Sequence, residues 1–286
     1  MINLWDPHVG LTVPVVLVTA FLLGMLHGIT PDEHTWPITF SYAIGSYSTR
    51  RGMLSGVIFS LAFTFQRAIG SELAYLSLDH WFTAVPHLDY LIYLLVGVVM
   101  AIAGWHILHG RHFHLFGSHR MAHRPAEAAL SDPRPWMPAV HGFIAGWGFG
   151  AFAVIIYTVL APSMPGALWG WVPGALFGLG TMAMQALAGG LFGWLATKRG
   201  LDGPAIRRVS LLTAGRTLQW GGVLFVAGGL FGLFFPHLAD WSWNTGIGVH
   251  NLDSVGLPTL LMMITVGGIG LTTLWRESRH FPGPRR

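Results

Sequence analysis

Apolar stretches long enough to cross a bilayer recur along the whole chain, and they limit its fold more than any other feature. A hydrocarbon core of ~30 Å takes about 20 helical residues. Such runs fall at roughly 11–29, 52–78, 89–110, 139–161, 168–196, 213–235 and 254–275. An eighth segment, 31–49 (PDEHTWPITFSYAIGSYST), is shorter and more polar. It either spans or forms the second arm of a broken or re-entrant helix. Residues 11–48 are too many for one straight span at ~1.5 Å per residue, so a break at Pro31 is expected in both readings. The expected fold is all-α: a polytopic transmembrane helix bundle of seven or eight spans, a single domain over 1–286. Only 10% of the residues are charged, against about a quarter in soluble domains.

Charge placement orients this map. Fifteen of the 16 basic residues fall on one side. They are Arg50 and Arg51, then Arg111, Arg120, Arg124 and Arg134, then Lys198, Arg199, Arg207, Arg208 and Arg216, and finally Arg276, Arg279, Arg285 and Arg286. The opposite loops, around 79–89, 162–168 and 236–253, hold no Lys or Arg. This is the positive-inside pattern, with the basic loops and the C-terminus cytoplasmic. It accounts for the pI near 9.8 without nucleic acid as a partner. The absence of cysteine excludes disulfides and thiolate metal sites. Residues 1–10 lack Lys and Arg, so no cleavable leader is expected. Trp81, Trp169, Trp171, Trp241 and Trp243 are expected at the outer interface, where indole rings prefer to sit.

The chain also repeats itself. Gly56-Val-Ile-Phe-Ser-Leu-Ala-Phe-Thr64 resembles Gly174-Ala-Leu-Phe-Gly-Leu-Gly-Thr181, and Gly97–Gly104 resembles Gly222–Gly229. His27-Gly28 and His141-Gly142 stand ahead of the first pair of blocks. By the charge map the two copies have opposite orientation. The expectation is an inverted repeat of three helices with a broken N-terminal helix pair, an architecture suited to alternating access.

The polar residues concentrate at the break, in His27-Gly-Ile-Thr-Pro-Asp-Glu-His34. Thr30 is a candidate cap for a helix starting at Pro31, with Glu33 completing a capping box. Asp32, Glu33 and His34 then occupy a first turn that favours anions. Imidazole with carboxylate is a ligand set for Ni²⁺, Co²⁺, Zn²⁺ or Mn²⁺. Ionisable groups at such depth are costly when unpaired and usually mark a pathway. The candidate metal residues are therefore His27, Asp32, Glu33 and His34. Arg67 lies ~24 Å into its span and Asp32 ~27 Å from Arg50 if 31–49 spans, nearly the same depth. Arg67 is thus either a charge partner of the site or one half of an Arg67–Glu72 pair that pins two helices. Glu72, Gln66 and His141 are further candidates for the surroundings of the metal. A loop at 111–135 and its flank are rich in histidine: His106, His109, His112, His114, His119 and His123 form a possible accessory metal tract.

These residues resemble the nickel/cobalt permease family, with its urease-accessory-type and nickel/cobalt-efflux relatives. Members carry a His, four residues, then Asp-His near a polar helix start. Here His27, Asp32 and His34 match, with Glu33 inserted. Thr49-Arg50-Arg51-Gly52, Gly56-Val-Ile-Phe-Ser-Leu, Phe177-Gly-Leu-Gly-Thr181 and the His-rich loop are similar too. Members often have Gly-His after that Ser-Leu, where this chain has Ala62-Phe63, so a second histidine is absent. The resemblance implies a secondary permease in the cytoplasmic membrane of a prokaryote, with Ni²⁺ or Co²⁺ as transported substrate and no cofactor. The expected partners are the divalent ion and the lipid bilayer. No enzymatic activity is expected, and no phosphate-binding Gly-Lys-Ser/Thr loop is present. The competing readings are a membrane-bound His-box metalloenzyme and an exporter of a small organic solute that uses Arg67 as an anion partner.

Overall fold

A computed structural model describes residues 11–77, 87–110, 130–148, 150–198, 201–248 and 252–281. These form helices α1 (Val13–Ile29), α2 (Trp36–Gly45), α3 (Thr49–Tyr75) and α4 (Leu88–His109). Next come α5 (Met137–Ala145) and α6 (Ala151–Ile155), the latter running on as a π-helical turn, Ile156–Leu160. Helices α7 (Val172–Thr197), α8 (Gly203–Phe234) and α9 (Pro236–Ala239) follow. The two-residue strands β1 (Trp243–Asn244) and β2 (Ser254–Val255) pair antiparallel. The last span is α10 (Leu257–Met262), a π-helical stretch Met263–Leu271, and α11 (Thr272–Arg279).

Among the described residues, five helices are long and apolar enough to cross a membrane: α3, α4, α7, α8 and the composite Leu257–Arg279. The protein is a membrane-embedded all-helical bundle. Bulky apolar side chains such as Phe65, Leu187 and Trp220 face outward, as a lipid solvent allows, while Phe59, Phe63, Phe177 and Phe225 fill the interior. Trp169, Trp171, Trp241 and Trp243 are all exposed at the end away from the basic residues; Trp81 lies outside the described residues.

Glycine sets the packing, because without a hydrophobic driving force membrane helices associate where backbones approach closely. Gly56 of α3 abuts the backbone of Gln185, and Gly174 of α7 abuts that of Arg67, so α3 and α7 run antiparallel. Helices α4 and α8 pair in the same way, through Gly97 and Gly104 against Gly222 and Gly215. In α1, Gly24 lies on Phe177 and Gly28 on Thr181 and Met184, so α1 runs parallel to α7.

Among the described residues, two helices are interrupted inside the bundle. The first interruption, 30–35, separates α1 from α2, so the polar segment 31–49 is the second arm of a broken helix. It begins later than a helix started by Pro31. Thr30 Oγ1 donates back to Leu26 O (2.9 Å). Asp32 does the capping, with Oδ1 accepting from the backbone N–H of His34 (2.9 Å) and Thr35 (3.0 Å). Helix α2 then starts at Trp36, whose N–H donates to Asp32 O (3.0 Å). The second interruption, 146–150, splits the apolar run 139–161, which reads as one span from hydropathy alone. Its sequence is Gly146-Trp-Gly-Phe-Gly150, and three glycines in five residues weaken a helix that the flanking apolar residues favour. Helix α8 also begins about ten residues before the apolar run 213–235, because Asp202 Oδ1 caps it through Ala205 N–H (2.8 Å). Arg207, Arg208 and Arg216 are therefore helical.

Candidate metal site

The two interruptions meet. A Cβ added to Gly148 in the second would lie 3.0 Å from His34 Nε2 in the first. Beside this contact a cavity of about 450 Å³ runs toward the end of the bundle that lacks basic residues. Its deep part is lined by His27, Asp32, Glu33, His34 and Arg67, and its mouth by His87, Asp89, Asp240 and Asp253.

The capping role of Asp32 positions the ligands. With Oδ1 held by two backbone amides, Oδ2 turns toward His27 Nδ1 at 3.7 Å. His34 Nδ1 stands 3.1 Å from Glu33 Oε1 and 3.9 Å from Asp32 Oδ1. One ligand atom from each of Asp32, Glu33 and His34 fits within 4.8 Å of the others. An ion bound at about 2.0–2.2 Å to its ligands separates adjacent donors by about 3.0–3.5 Å, so these groups need only small adjustments to share one. Three are withdrawn from solvent, with exposure of 7% for His27, 5% for Asp32 and 8% for His34, and Glu33 is half-buried.

The supporting shell comes from helices far away in sequence. Tyr93 of α4 donates its hydroxyl to Glu33 Oε1 (3.0 Å), and its ring lies 5.3 Å from that of His34. His27 is stacked on Phe63 (5.7 Å) and Phe177 (5.3 Å), with Phe152 edge-on. The sequence carries weak signals for these residues. Tyr93 is a polar-tipped ring near the start of the apolar run 89–110, and Phe59 and Phe63 share a helix face at i, i+4.

The other candidates go to different places. Arg67 is in the cavity wall, where Nη2 donates to Gly148 O (3.0 Å) and Nη1 to Tyr157 Oη (3.1 Å). It forms no ion pair with Asp32, Glu33 or Glu72. Glu72, five residues on and so ~140° around the helix, lies in a lateral apolar groove with Trp171 and Ala175. Gln66 packs against Gly146 at the second break, outside the cavity lining. His141 is fully buried nearer the basic end, its Nδ1 3.3 Å from Tyr42 Oη and 3.0 Å from Met137 O. His106 and His109 end α4: His106 borders a separate groove, and His109 stacks on Trp105 at 5.2 Å. His112, His114, His119 and His123 lie outside the described residues.

Comparison with protein-family models, curated proteins and solved structures finds no match for this chain. The bundle and its cavity define the class, a helical membrane protein with a buried acid–imidazole cluster.

Proposed function

We propose that the protein is a secondary permease for a divalent transition-metal cation, with Ni²⁺ or Co²⁺ as the leading cargo. The observation that carries this reading is the Asp32–Glu33–His34 cluster with His27 beside it, buried at a helix break on the floor of a cavity that reaches one end of the bundle. Carboxylate with imidazole matches the ligand preference of these ions. The acidic mouth would raise the local cation concentration. The ion would then exchange hydration water for Asp32 Oδ2, Glu33, His34 and His27. The basic end is taken as cytoplasmic in a prokaryotic inner membrane, by the positive-inside rule.

An inverted repeat supplies the means of alternating access, and the packing supports one. Gly24 of α1 abuts the backbone of Phe177, and Gly142 of α5 abuts that of Phe59. Phe59 and Phe177 occupy the same place in the matched blocks. This pairs Gly24 with Gly142 and Gly28 with Gly146, one turn away from a register that aligns His27 with His141. Ala145 then corresponds to His27, and the glycine break to the ligand-bearing break. One half would carry the metal ligands while the other supplies a small-residue surface to rock against.

The test is calorimetric titration of the detergent-solubilised protein with Ni²⁺, Co²⁺, Zn²⁺ and Mn²⁺, with and without residues 111–135. Binding is expected to survive the deletion and to fall by at least about 100-fold in His27→Ala and Asp32→Ala. Binding confined to 111–135 would overturn the reading. Arg67 favours one second reading, a carrier of small zwitterionic solutes, which would bind without metal.

A further inference from the structure

The cavity lining carries both signs of charge, and a bare cation uses only one of them. Arg67, 4% exposed, lines the same cavity as the carboxylates and imidazoles. Its guanidinium is fixed by Gly148 O and Tyr157 Oη and lies over Phe63 at 4.9 Å and Phe177 at 5.6 Å. Those two rings also stack on His27. Metal ligand and guanidinium are therefore gathered around the same aromatic pair. Arg67 Nε has no hydrogen-bond partner, and among the described residues no carboxylate pairs with this side chain. His34 Nε2 is likewise buried without a hydrogen-bond partner.

A buried guanidinium lacking an anion is unfavourable, and it repels a dication brought close to it. We infer that the cargo occupies the site as an ion pair: a divalent metal on Asp32, Glu33, His34 and His27, with a small carboxylate or similar oxyanion bridging the metal and Arg67. A carboxylate offers one oxygen to the metal and the other to the unpartnered Nε–H and a neighbouring Nη–H, as charge-assisted hydrogen bonds that a lysine ammonium at the same place reproduces poorly. This inference rests on the metal reading above and adds the second component of the cargo. No bond is made or broken beyond metal coordination.

The experiment is titration of Ni²⁺ into the full-length protein with perchlorate, which coordinates weakly, as the only anion, and then with rising acetate. The apparent affinity for Ni²⁺ is expected to increase at least tenfold with acetate in the wild type. Labelled acetate should in turn bind more tightly by the same factor when Ni²⁺ is present, as linkage requires. R67Q should lose this coupling, and R67K, which keeps the charge without the fork, should lose most of it. The wild-type arm is decisive even if a variant fails to fold. Ni²⁺ binding that ignores acetate overturns the inference and leaves the metal permease standing. Acetate binding that is equally strong without Ni²⁺ overturns it in favour of an anion or zwitterion carrier. Absence of Ni²⁺ binding in either anion removes both the inference and the metal reading.

Discussion

Asp32 does two jobs with two oxygens. Oδ1 closes the turn that starts α2 through the N–H groups of His34 and Thr35, while Oδ2 faces His27. The two jobs separate by substitution. Asp32→Asn keeps an acceptor for the amides and loses the charge, so it should melt within a few degrees of wild type while metal affinity falls at least about 100-fold. Asp32→Ala loses both, with a further destabilisation of about 1 kcal/mol from the missing cap. Thermal melting and metal titration of the two variants side by side check this. Near-wild-type affinity in Asp32→Asn would remove Asp32 from the ligand set. Tyr93 tests the shell in the same way. Its hydroxyl holds Glu33 Oε1 across 60 residues of chain, and hydrogen bonds to charged groups contribute about 1.5–3 kcal/mol. Tyr93→Phe should weaken metal binding by about tenfold or more, and an unchanged affinity would show that Glu33 is positioned without it.

Close glycine contacts hold the helices, so the cost of a methyl group should depend on where it is placed. At Gly28 a Cβ would lie 2.8 Å from Met184 Cβ and 2.9 Å from Thr181 O, whereas at Gly267 it would meet nothing within 4 Å. Gly28→Ala should destabilise the bundle by about 1–3 kcal/mol, the usual cost of overpacking. Gly267→Ala should be neutral or slightly stabilising, since alanine suits a helix better than glycine by about 1 kcal/mol. Melting curves in one detergent compare the two, and equal shifts would contradict the packing. The breaks follow an element-scale logic as well. Pro31 makes the first legible in the sequence. The second, at 146–150, hides within an apolar run because hydropathy counts side chains and is insensitive to backbone conformation.

At the scale of the molecule, orientation decides what the cavity is exposed to, and the natural absence of cysteine makes it easy to measure. Ser242 lines the cavity at its open end, whereas Ser131 lies at the basic end and donates its hydroxyl to His106 O. In intact cells, Ser242→Cys should react with a membrane-impermeant maleimide, and Ser131→Cys only after permeabilisation. The opposite result would invert the topology and make the cavity inward-facing. What the sequence by itself determined is the class of protein: long apolar runs and one-sided basic loops leave a helical membrane bundle as the economical solution, and the cluster at 27–34 stands out because charge is rare there. These are local properties, readable from hydropathy and from what a proline permits. The tertiary structure alone decided which polar residues share a space. Glu72 and His141 looked as eligible as Arg67, and Tyr93 was not singled out at all, yet Glu72 faces a lateral groove, His141 pairs with Tyr42 and Tyr93 holds Glu33. Each residue turns a helix by ~100°, and contacts such as Tyr93–Glu33 or Arg67–Gly148 join segments that meet only when glycine-lined helices pack. A side chain's membership of the site therefore depends on helix rotation and helix pairing, which no local pattern encodes.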